Sequence, residues 1–214
     1  MITAHGGALG TGRNSQKYFD GIDRYGAQAL EVDIRRVGGE LILSHNPTLC
    51  KRGKLTLAYA LGLAKERGLR INCDTKSRNL APDVERLAKQ LGATANIYFT
   101  GSVDEREAAN LTECEVYFNR LQGISYTQGN AAQIRRRLES YASPVYAGIN
   151  VSRARATKAF LQECLSEGVK VSLYTVDKDE ELAVYCPMGL FNITTNRPDR
   201  AAQIVAQCAK GDCV

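Results

Sequence analysis

Two histidines stand where they could carry out acid–base chemistry. The 214-residue chain contains only two, His5 and His45, so a reaction that needs imidazole depends on this pair. Each follows an apolar run that predicts a strand. One histidine on each side of a bound phosphodiester would accept the proton of the nucleophile and donate a proton to the leaving oxygen. The pair therefore indicates general acid–base catalysis.

Two carboxylates lie on one face of the second predicted strand. In residues 30–34, Leu-Glu-Val-Asp-Ile, alternation places the apolar side chains on one face and Glu31 with Asp33 on the other. Two unpaired negative charges on an inward face repel each other and are poorly solvated, so a cation must neutralise them. A divalent metal ion is one candidate, because hard cations bind carboxylate oxygens. A Lys or Arg partner is the alternative.

The third predicted strand repeats this pattern. In residues 71–76, Ile-Asn-Cys-Asp-Thr-Lys, Asp74 and Lys76 share the face opposite the apolar side chains. Asp74 is thus a third carboxylate at the same edge of the sheet. Lys76 either neutralises part of the acidic cluster or binds a phosphate oxygen.

The elements that position these residues alternate along the whole chain. Strands are predicted at residues 2–4, 29–35, 70–74, 96–100, 115–119, 145–150, 170–175 and 190–195. Apolar spacing predicts helices at residues 55–67, 82–91, 131–141, 154–167 and 200–209. The pair Gly38-Gly39 predicts a hairpin that extends the second strand through residues 40–44.

This order predicts an α/β fold, a single-domain (β/α)8 TIM barrel spanning residues 1–214. Eight units of roughly 27 residues use the whole chain, which leaves no room for a second domain. A doubly wound open sheet is the alternative. In a barrel, reactive groups lie where strands end and the following loops begin, and the two histidines and three acidic residues satisfy that condition.

The composition excludes several other classes of protein. With 44% hydrophobic and 24% charged residues, the chain is not disordered or collagen-like. The net charge of +5 is scattered, which favours anionic ligands modestly, and no nucleic-acid-binding motif accompanies it.

Seven cysteines without CxxC spacing indicate free thiols in a reducing cytosol, with a Cys208–Cys213 bridge as the alternative. No apolar run is long enough for a membrane span, so a cytoplasmic location is predicted.

The chain resembles the glycerophosphodiester phosphodiesterases, whose short motifs occur here in the same order. The first three are residues 4–7 (Ala-His-Gly-Gly), 26–33 (Gly-Ala through Glu-Val-Asp) and 44–49 (Ser-His-Asn-Pro-Thr-Leu). The later three are residues 74–76 (Asp-Thr-Lys), 174–177 (Tyr-Thr-Val-Asp) and 194–199 (Thr-Thr-Asn-Arg-Pro-Asp). Each motif is weak alone, and their order at barrel-strand spacing is what carries the resemblance.

The resemblance implies a TIM barrel that uses a divalent cation, Ca²⁺ or Mg²⁺, to cleave a small-molecule phosphodiester. The reaction would release an alcohol and glycerol phosphate. The roles that it implies are metal binding by Glu31, Asp33 and Asp74, acid and base catalysis by His5 and His45, and phosphate binding by Lys76.

Several positions depart from the family pattern. Gly6 replaces the Arg that follows the first histidine, and we expect Arg13 to restore that positive charge. Asp74 replaces a Glu and is one methylene shorter, so we expect it to reach a metal through a water. Tyr174 replaces a Trp and keeps an aromatic wall for the pocket. Only nine residues separate His45 from Leu55, where many members carry a helical insertion, so a more open mouth is expected.

Three functions remain open at this point. The first is hydrolysis of a glycerophosphodiester. The second is binding of a phosphorylated ligand by a degenerate barrel without turnover. The third is cyclisation by a lyase, because the sphingomyelinase D-like relatives of the family also lack the insertion.

Overall fold

The computed structural model describes residues 1–210 of the chain. Its strands are β1 (Ile2–Ala4), β2 (Ala29–Val37), β3 (Glu40–Leu43), β4 (Arg70–Thr75), β5 (Ile97–Gly101), β6 (Val116–Phe118), β7 (Tyr146–Ser152), β8 (Lys170–Tyr174) and β9 (Asn192–Thr195). Its α-helices are α1 (Gln16–Asp20), α2 (Leu57–Glu66), α3 (Ala81–Gln90), α4 (Glu105–Ala108), α5 (Ala131–Glu139), α6 (Lys158–Ser166), α7 (Asp179–Tyr185) and α8 (Pro198–Ala209).

Eight of the strands form a closed parallel barrel. The order around it is β1, β2, β4, β5, β6, β7, β8 and β9, and β9 pairs with β1 to close the ring. Because β1 pairs with both β2 and β9, the sheet has no open edge at this point, which excludes the doubly wound alternative. The predicted (β/α)8 TIM barrel is confirmed.

The antiparallel strand β3 lies outside the ring and extends β2 as a hairpin. Both central residues of its turn, Gly38 and Gly39, have positive φ angles of 56° and 80°. Glycine adopts this conformation at little cost, which is why the Gly-Gly pair predicted the hairpin correctly. The hairpin delivers His45 to the carboxyl end of the barrel.

The helices differ from the sequence prediction mainly at their ends and in number. The helix predicted at residues 154–167 begins only at Lys158, because the Thr157 side chain accepts a hydrogen bond from the Phe160 amide and caps it there. The short helices α1, α4 and α7 were not predicted. They have four to seven residues, too few for apolar periodicity to be visible.

Apolar side chains fill the layer between the strands and the helices. Leu30, Val32 and Ile34 of β2 are each at most 1% exposed and belong to this layer, as the alternation of β2 predicted. A separate aromatic cluster lies near the amino ends of the strands, where the Tyr117 ring stacks on Phe191 with centroids 4.0 Å apart. That end of the barrel is therefore filled, and the opposite end remains for chemistry.

The prediction of free thiols holds for five of the cysteines. Cys50, Cys73, Cys114, Cys164 and Cys186 are free. The suggested Cys208–Cys213 bridge involves residue 213, which lies outside the described residues. Within residues 1–210, the longest apolar helix is too short to cross a membrane.

Candidate active site

Strand register brings the predicted site residues together. Asp33 of β2 lies directly opposite Asp74 of β4, and Glu31 lies opposite Asn72. Ala4 of β1 pairs with Leu30 on one side and with Thr195 on the other. His5, the next residue, therefore enters the rim between the end of β2 and the end of β9. The loops at the carboxyl ends of the strands thus converge on one site, as expected for this fold.

The three predicted metal ligands form one cluster. Glu31, Asp33 and Asp74 each offer an oxygen, and these atoms all lie within 4.8 Å of one another. Glu31 and Asp33 are each only 3% exposed. The Lys76 ammonium lies 2.7 Å from Asp33 Oδ1 and 2.7 Å from Asp74 Oδ2. The Lys partner that was the alternative to a metal ion is therefore present, and it forms ion pairs with two of the three carboxylates.

Glu31 is the carboxylate that Lys76 does not reach directly. Its Oε2 accepts a hydrogen bond of 2.6 Å from the Gly6 amide. Burial, together with the negative charges of Asp33 and Asp74, raises the pKa of the Glu31 carboxyl well above its usual value. Without a further cation, Glu31 therefore retains its proton to higher pH than an exposed glutamate.

The two aspartates respond differently to the same ammonium. Burial opposes ionisation of Asp33, but the charge and hydrogen bond of Lys76, with hydrogen bonds from Asn14 and His45, outweigh burial and lower its pKa. For Asp74, burial outweighs the attraction of Lys76, so its pKa is raised. The carboxylates also hold the proton of Lys76 more firmly and raise its pKa. Lys76 is thus a permanent cation at this site.

The donor set fits a divalent cation. Three ionised carboxylates and one ammonium leave two negative charges, which one divalent ion balances. All three donors are oxygens, the ligand type that Mg²⁺ and Ca²⁺ prefer. The raised pKa of Glu31 indicates that the surrounding residues do not neutralise the charge of this carboxylate. Glu31, Asp33 and Asp74 are therefore suited to hold such an ion beside Lys76.

His45 is tied to the acidic cluster through Asp33. Its Nδ1 lies 3.1 Å from Asp33 Oδ1. An ionised carboxylate only accepts hydrogen bonds, so Nδ1 donates and Nε2 is left for substrate. The Arg35 guanidinium donates two hydrogen bonds to the His45 carbonyl, at 3.1 and 2.8 Å, and a third of 3.4 Å to the Lys76 carbonyl. Arg35 thereby joins the two loops that carry His45 and Lys76.

His5 is oriented by a chain of hydrogen bonds on the opposite side. Its Nδ1 lies 2.9 Å from Asn196 Oδ1. The Asn196 amide Nδ2 donates to Asp177 Oδ2 at 2.8 Å, and its backbone amide donates to Asp177 Oδ1 at 2.8 Å. Because the Asp177 carboxylate only accepts, the Asn196 oxygen must face His5, and His5 Nδ1 must donate. The neutral ring then leaves Nε2 as a proton acceptor.

The loop after β1 supports Asp33 from a second direction. Asn14 donates from Nδ2 to Asp33 Oδ2 at 2.8 Å and accepts from the Asp33 amide at 3.0 Å. Its φ of 53° is left-handed, a conformation that asparagine tolerates better than most residues. The neighbouring Arg13 is exposed and makes no hydrogen bond or ion pair with residues 1–210. Its side chain is thus free for an anion.

Tyr174 stands at the end of β8 beside two asparagines. The Asn119 amide lies 3.5 Å from its hydroxyl, and Asn150 donates to Asn119 Oδ1 at 2.9 Å. Burial and the charge of Asp74 raise the pKa of the Tyr174 hydroxyl, so it remains protonated at neutral pH. These three residues line a cleft of about 590 Å³.

Four residues that position the site were not selected from the sequence: Asn14, Arg35, Asp177 and Asn196. Asp177 and Asn196 lie within the motif segments 174–177 and 194–199. Because these motifs follow strand ends, their position could have predicted that both residues lie near the site. Arg35 carried no such signal, because alternation alone does not show which loop a long side chain reaches.

Comparisons with known proteins give a likeness of fold. No protein-family model matches the chain, and no curated protein matches it. Among solved structures, a glycerophosphodiester phosphodiesterase from Parabacteroides distasonis has a TM-score of 0.74 at 16% identity, with 97% of each chain covered. One from Agrobacterium tumefaciens has a TM-score of 0.71 at 16% identity, covering 94% of this chain and 98% of the other.

A third solved structure holds a ligand. An Oleispira antarctica phosphodiesterase in complex with its product sn-glycerol-3-phosphate has a TM-score of 0.74 at 15% identity, with 96% of each chain covered. Identities this low establish the fold and leave the chemistry to the residues of this chain. The chain therefore has the TIM-barrel fold of the solved glycerophosphodiester phosphodiesterases.

Proposed function

We propose that this protein is a metal-dependent phosphodiesterase that hydrolyses a glycerophosphodiester to an alcohol and glycerol phosphate. The observation that carries the proposal is the joint placement of the two histidines and the acidic cluster at one barrel end. His45 contacts Asp33 at 3.1 Å, and the residue after His5 donates to Glu31 at 2.6 Å. Two proton-transfer groups thus flank a cluster of three carboxylates and one ammonium.

The histidines serve as the acid and base of the reaction. Both have Nδ1 engaged, His5 with Asn196 and His45 with Asp33, so each presents Nε2 to the substrate. One Nε2 accepts the proton of the attacking hydroxyl or water, and the other returns a proton to the leaving oxygen. The hydrogen bonds to Nδ1 hold each ring in one tautomer and orientation through this exchange.

The cations bind the phosphate. A divalent ion held by Glu31, Asp33 and Asp74 supplies positive charge to the phosphoryl oxygens when bound. Lys76 adds a fixed ammonium beside it. We assign Arg13 to the outer phosphate oxygens, because its side chain is exposed and unpaired in the described structure. It would supply the positive charge of the Arg that Gly6 replaces. Tyr174 forms the wall next to the leaving group.

Hydrolysis of glycerophosphocholine tests the proposal. We expect release of glycerol phosphate with Mg²⁺ or Ca²⁺, loss of activity with chelator, and recovery when the ion is restored. His5→Ala and His45→Ala should each lower kcat by about 10²- to 10⁴-fold. The matched control is Asn110→Ala, which removes an exposed amide that contacts only the Arg106 carbonyl.

Two outcomes would overturn the hydrolase proposal. If no divalent ion supports activity, the degenerate phosphate-binding barrel becomes the better account. If activity survives both histidine substitutions unchanged, the acid–base assignment is wrong. A stable cyclic phosphate as the end product, detected by ³¹P NMR, would instead identify the lyase reaction of the sphingomyelinase D-like type.

A further inference from the structure

A cleft lined by two arginines lies at the carboxyl end of the barrel beside Tyr174. Arg120 follows β6 and Arg155 follows β7, and both line the cleft that Tyr174, Asn119 and Asn150 also line. We name this the arginine cleft. No acidic residue is found among the described residues that line it. Both arginines are exposed, and neither side chain makes an ion pair or hydrogen bond with residues 1–210.

Several arginines elsewhere in the fold are paired with carboxylates, unlike Arg120 and Arg155. Arg153, two residues before Arg155, pairs with Glu181 at 3.0 Å. Arg137 pairs with Glu105 at 2.7 Å and Arg200 with Asp179 at 2.9 Å. The arginine cleft thus presents guanidinium groups whose donors are free for an external anion, the geometry that suits phosphate oxygens.

A continuous set of contacts joins the arginine cleft to the acidic cluster. Gly101 packs so tightly on Asp74 that a Cβ there would clash with the carboxylate, and its amide donates to Asn119 Oδ1 at 3.0 Å. Asn119 in turn contacts Tyr174 and Asn150 inside the cleft. The charges of Asp74 and Arg155 both act on the Tyr174 hydroxyl. A ligand that lies against Tyr174 would therefore contact the metal ligands at one end and the arginines at the other.

Asn150 provides a polar group at the base of the cleft. It is 6% exposed, and its Oδ1 accepts no hydrogen bond from the described residues. Buried acceptors are normally satisfied, so this oxygen is left for a water or a hydroxyl donor. The cleft therefore suits a hydroxylated group that also carries negative charge.

We propose that the arginine cleft binds the leaving headgroup of the phosphodiester and selects headgroups that carry a second phosphate. The inference rests on the proposed function and specifies its substrate class. Two guanidinium groups attract an anionic headgroup and repel a quaternary ammonium, and no lining carboxylate offsets that repulsion. Arg120 and Arg155 are thus specificity-determining residues, remote from the reacting phosphorus.

Three diesters that differ in headgroup charge provide the test: glycerophosphoinositol, glycerophosphoinositol 4-phosphate and glycerophosphocholine. We expect kcat/KM for the 4-phosphate compound to exceed that for glycerophosphoinositol by about tenfold or more, since a charge-assisted hydrogen bond is worth roughly that factor. Glycerophosphocholine should be the poorest of the three. Arg120→Gln and Arg155→Gln should each reduce the ratio, and the double variant should bring it near one.

The matched control is Arg136→Gln. Arg136 is exposed on α5 and lies outside the arginine cleft, so its loss changes the net charge equally but should leave the ratio unchanged. Equal kcat/KM values for all three diesters, or a preference that survives in the double variant, would overturn the proposal.

A binding measurement separates this inference from the hydrolase proposal. In the His5→Ala variant, titration calorimetry gives the Kd of each diester without turnover. If no diester is hydrolysed by the unmodified protein, the proposed function fails, but tighter binding of the 4-phosphate compound that Arg120→Gln removes still supports the cleft. Equal Kd values for the phosphorylated and unphosphorylated compounds overturn it.

Discussion

Asn196 determines which nitrogen of His5 is available for chemistry. It accepts from His5 Nδ1 at 2.9 Å, while Asp177 fixes its amide by accepting two hydrogen bonds from it. The group that accepts the hydrogen bond from His5 is thus the neutral side-chain amide of Asn196. The Asp177 carboxylate, which does not contact His5 itself, sets the orientation of that amide. His45, by contrast, contacts the Asp33 carboxylate directly. The two histidines therefore have different electrostatic environments, as an acid–base pair requires.

Asn196→Ala should lower kcat by about 10- to 100-fold, because the His5 ring loses the partner that orients it. The KM for glycerophosphocholine should change little, since Asn196 is a positioning residue. Asn196→Asp loses the donor to Asp177 and places two carboxylates side by side, so it should not restore the rate. Steady-state kinetics of the two variants provide the measurement. A kcat equal to that of the unmodified protein in Asn196→Ala would contradict this role.

Arg13→Gln should raise KM for the diester by about three- to tenfold, as expected for loss of one exposed phosphate contact. The control is Arg24→Gln, which removes an exposed arginine of the 22–24 turn. Comparable KM values in both variants would show that Arg13 does not bind the phosphate. Arg13 would then not compensate for the Arg that Gly6 replaces.

At this scale, the sequence predicted the acidic cluster better than the residues that support it. Glu31, Asp33 and Asp74 could be found because alternation places them on one face of adjoining strands. Asn14 could not be found in this way. Its contact with Asp33 depends on a left-handed residue in an irregular loop, and local propensity does not specify where such a loop aims a side chain.

The register of the strands is what converts separate motifs into one site. Asp33 opposes Asp74 because β2 and β4 pair from Ala29 with Arg70 onward without interruption. A shift of one residue would turn one of these carboxylates toward the outer helices. The sequence predicted strand positions to within about two residues, but register follows from closure of the whole barrel. Short helices such as α4 also escape prediction, because tertiary contacts stabilise them.

Helix α3 anchors the loop that precedes β6 through one buried carboxylate. Glu85 is 4% exposed and accepts from the backbone amides of Thr112, Glu113 and Cys114 at 2.9–3.2 Å. Burial opposes its ionisation, but these hydrogen bonds outweigh burial and lower the pKa of the Glu85 carboxyl. The ionised form is therefore more stable in the folded chain than in the unfolded one.

Glu85→Gln should lower the free energy of unfolding at pH 7 by about 1–3 kcal/mol, because amide donors lose a charged acceptor. The stabilisation by Glu85 is present above the usual glutamate pKa and is lost as the pH falls through the lowered pKa of the folded state. The difference between the two proteins should therefore shrink in acid. Urea denaturation at several pH values measures it, with the exposed Glu66→Gln as control. A difference that grows as the pH falls would contradict the assignment.

The whole molecule is a barrel with one end filled and the other end charged. Aromatic side chains occupy the amino end, and the carboxyl end collects three carboxylates, Lys76 and both histidines. Residues 46–54, where many members of the family carry a helical insertion, form bends and a turn with no helix, and Leu49 there is fully exposed. The more open mouth predicted from the sequence stays a prediction.

A divalent ion should stabilise the fold, because it binds a site that exists only when the barrel is closed. At a concentration about 100 times its Kd, the ion contributes roughly 2.7 kcal/mol. For a chain of this size, that corresponds to a rise of about 5–10 °C in Tm. Asp74→Asn should abolish most of the rise, and Glu66→Gln should retain it. Scanning calorimetry with Mg²⁺, Ca²⁺ and chelator measures it, and an identical Tm in all three conditions would contradict the metal assignment.

The central claim is that metal ion, phosphate and both histidines meet at one end of the barrel. A crystal structure with Mg²⁺ or Ca²⁺ and glycerol 3-phosphate tests it most directly. We predict an ion bound by Glu31, Asp33 and Asp74, with the phosphate beside Lys76 and between the Nε2 atoms of His5 and His45. A glycerol phosphate bound elsewhere, or an acidic cluster without an ion at saturating metal, would contradict it.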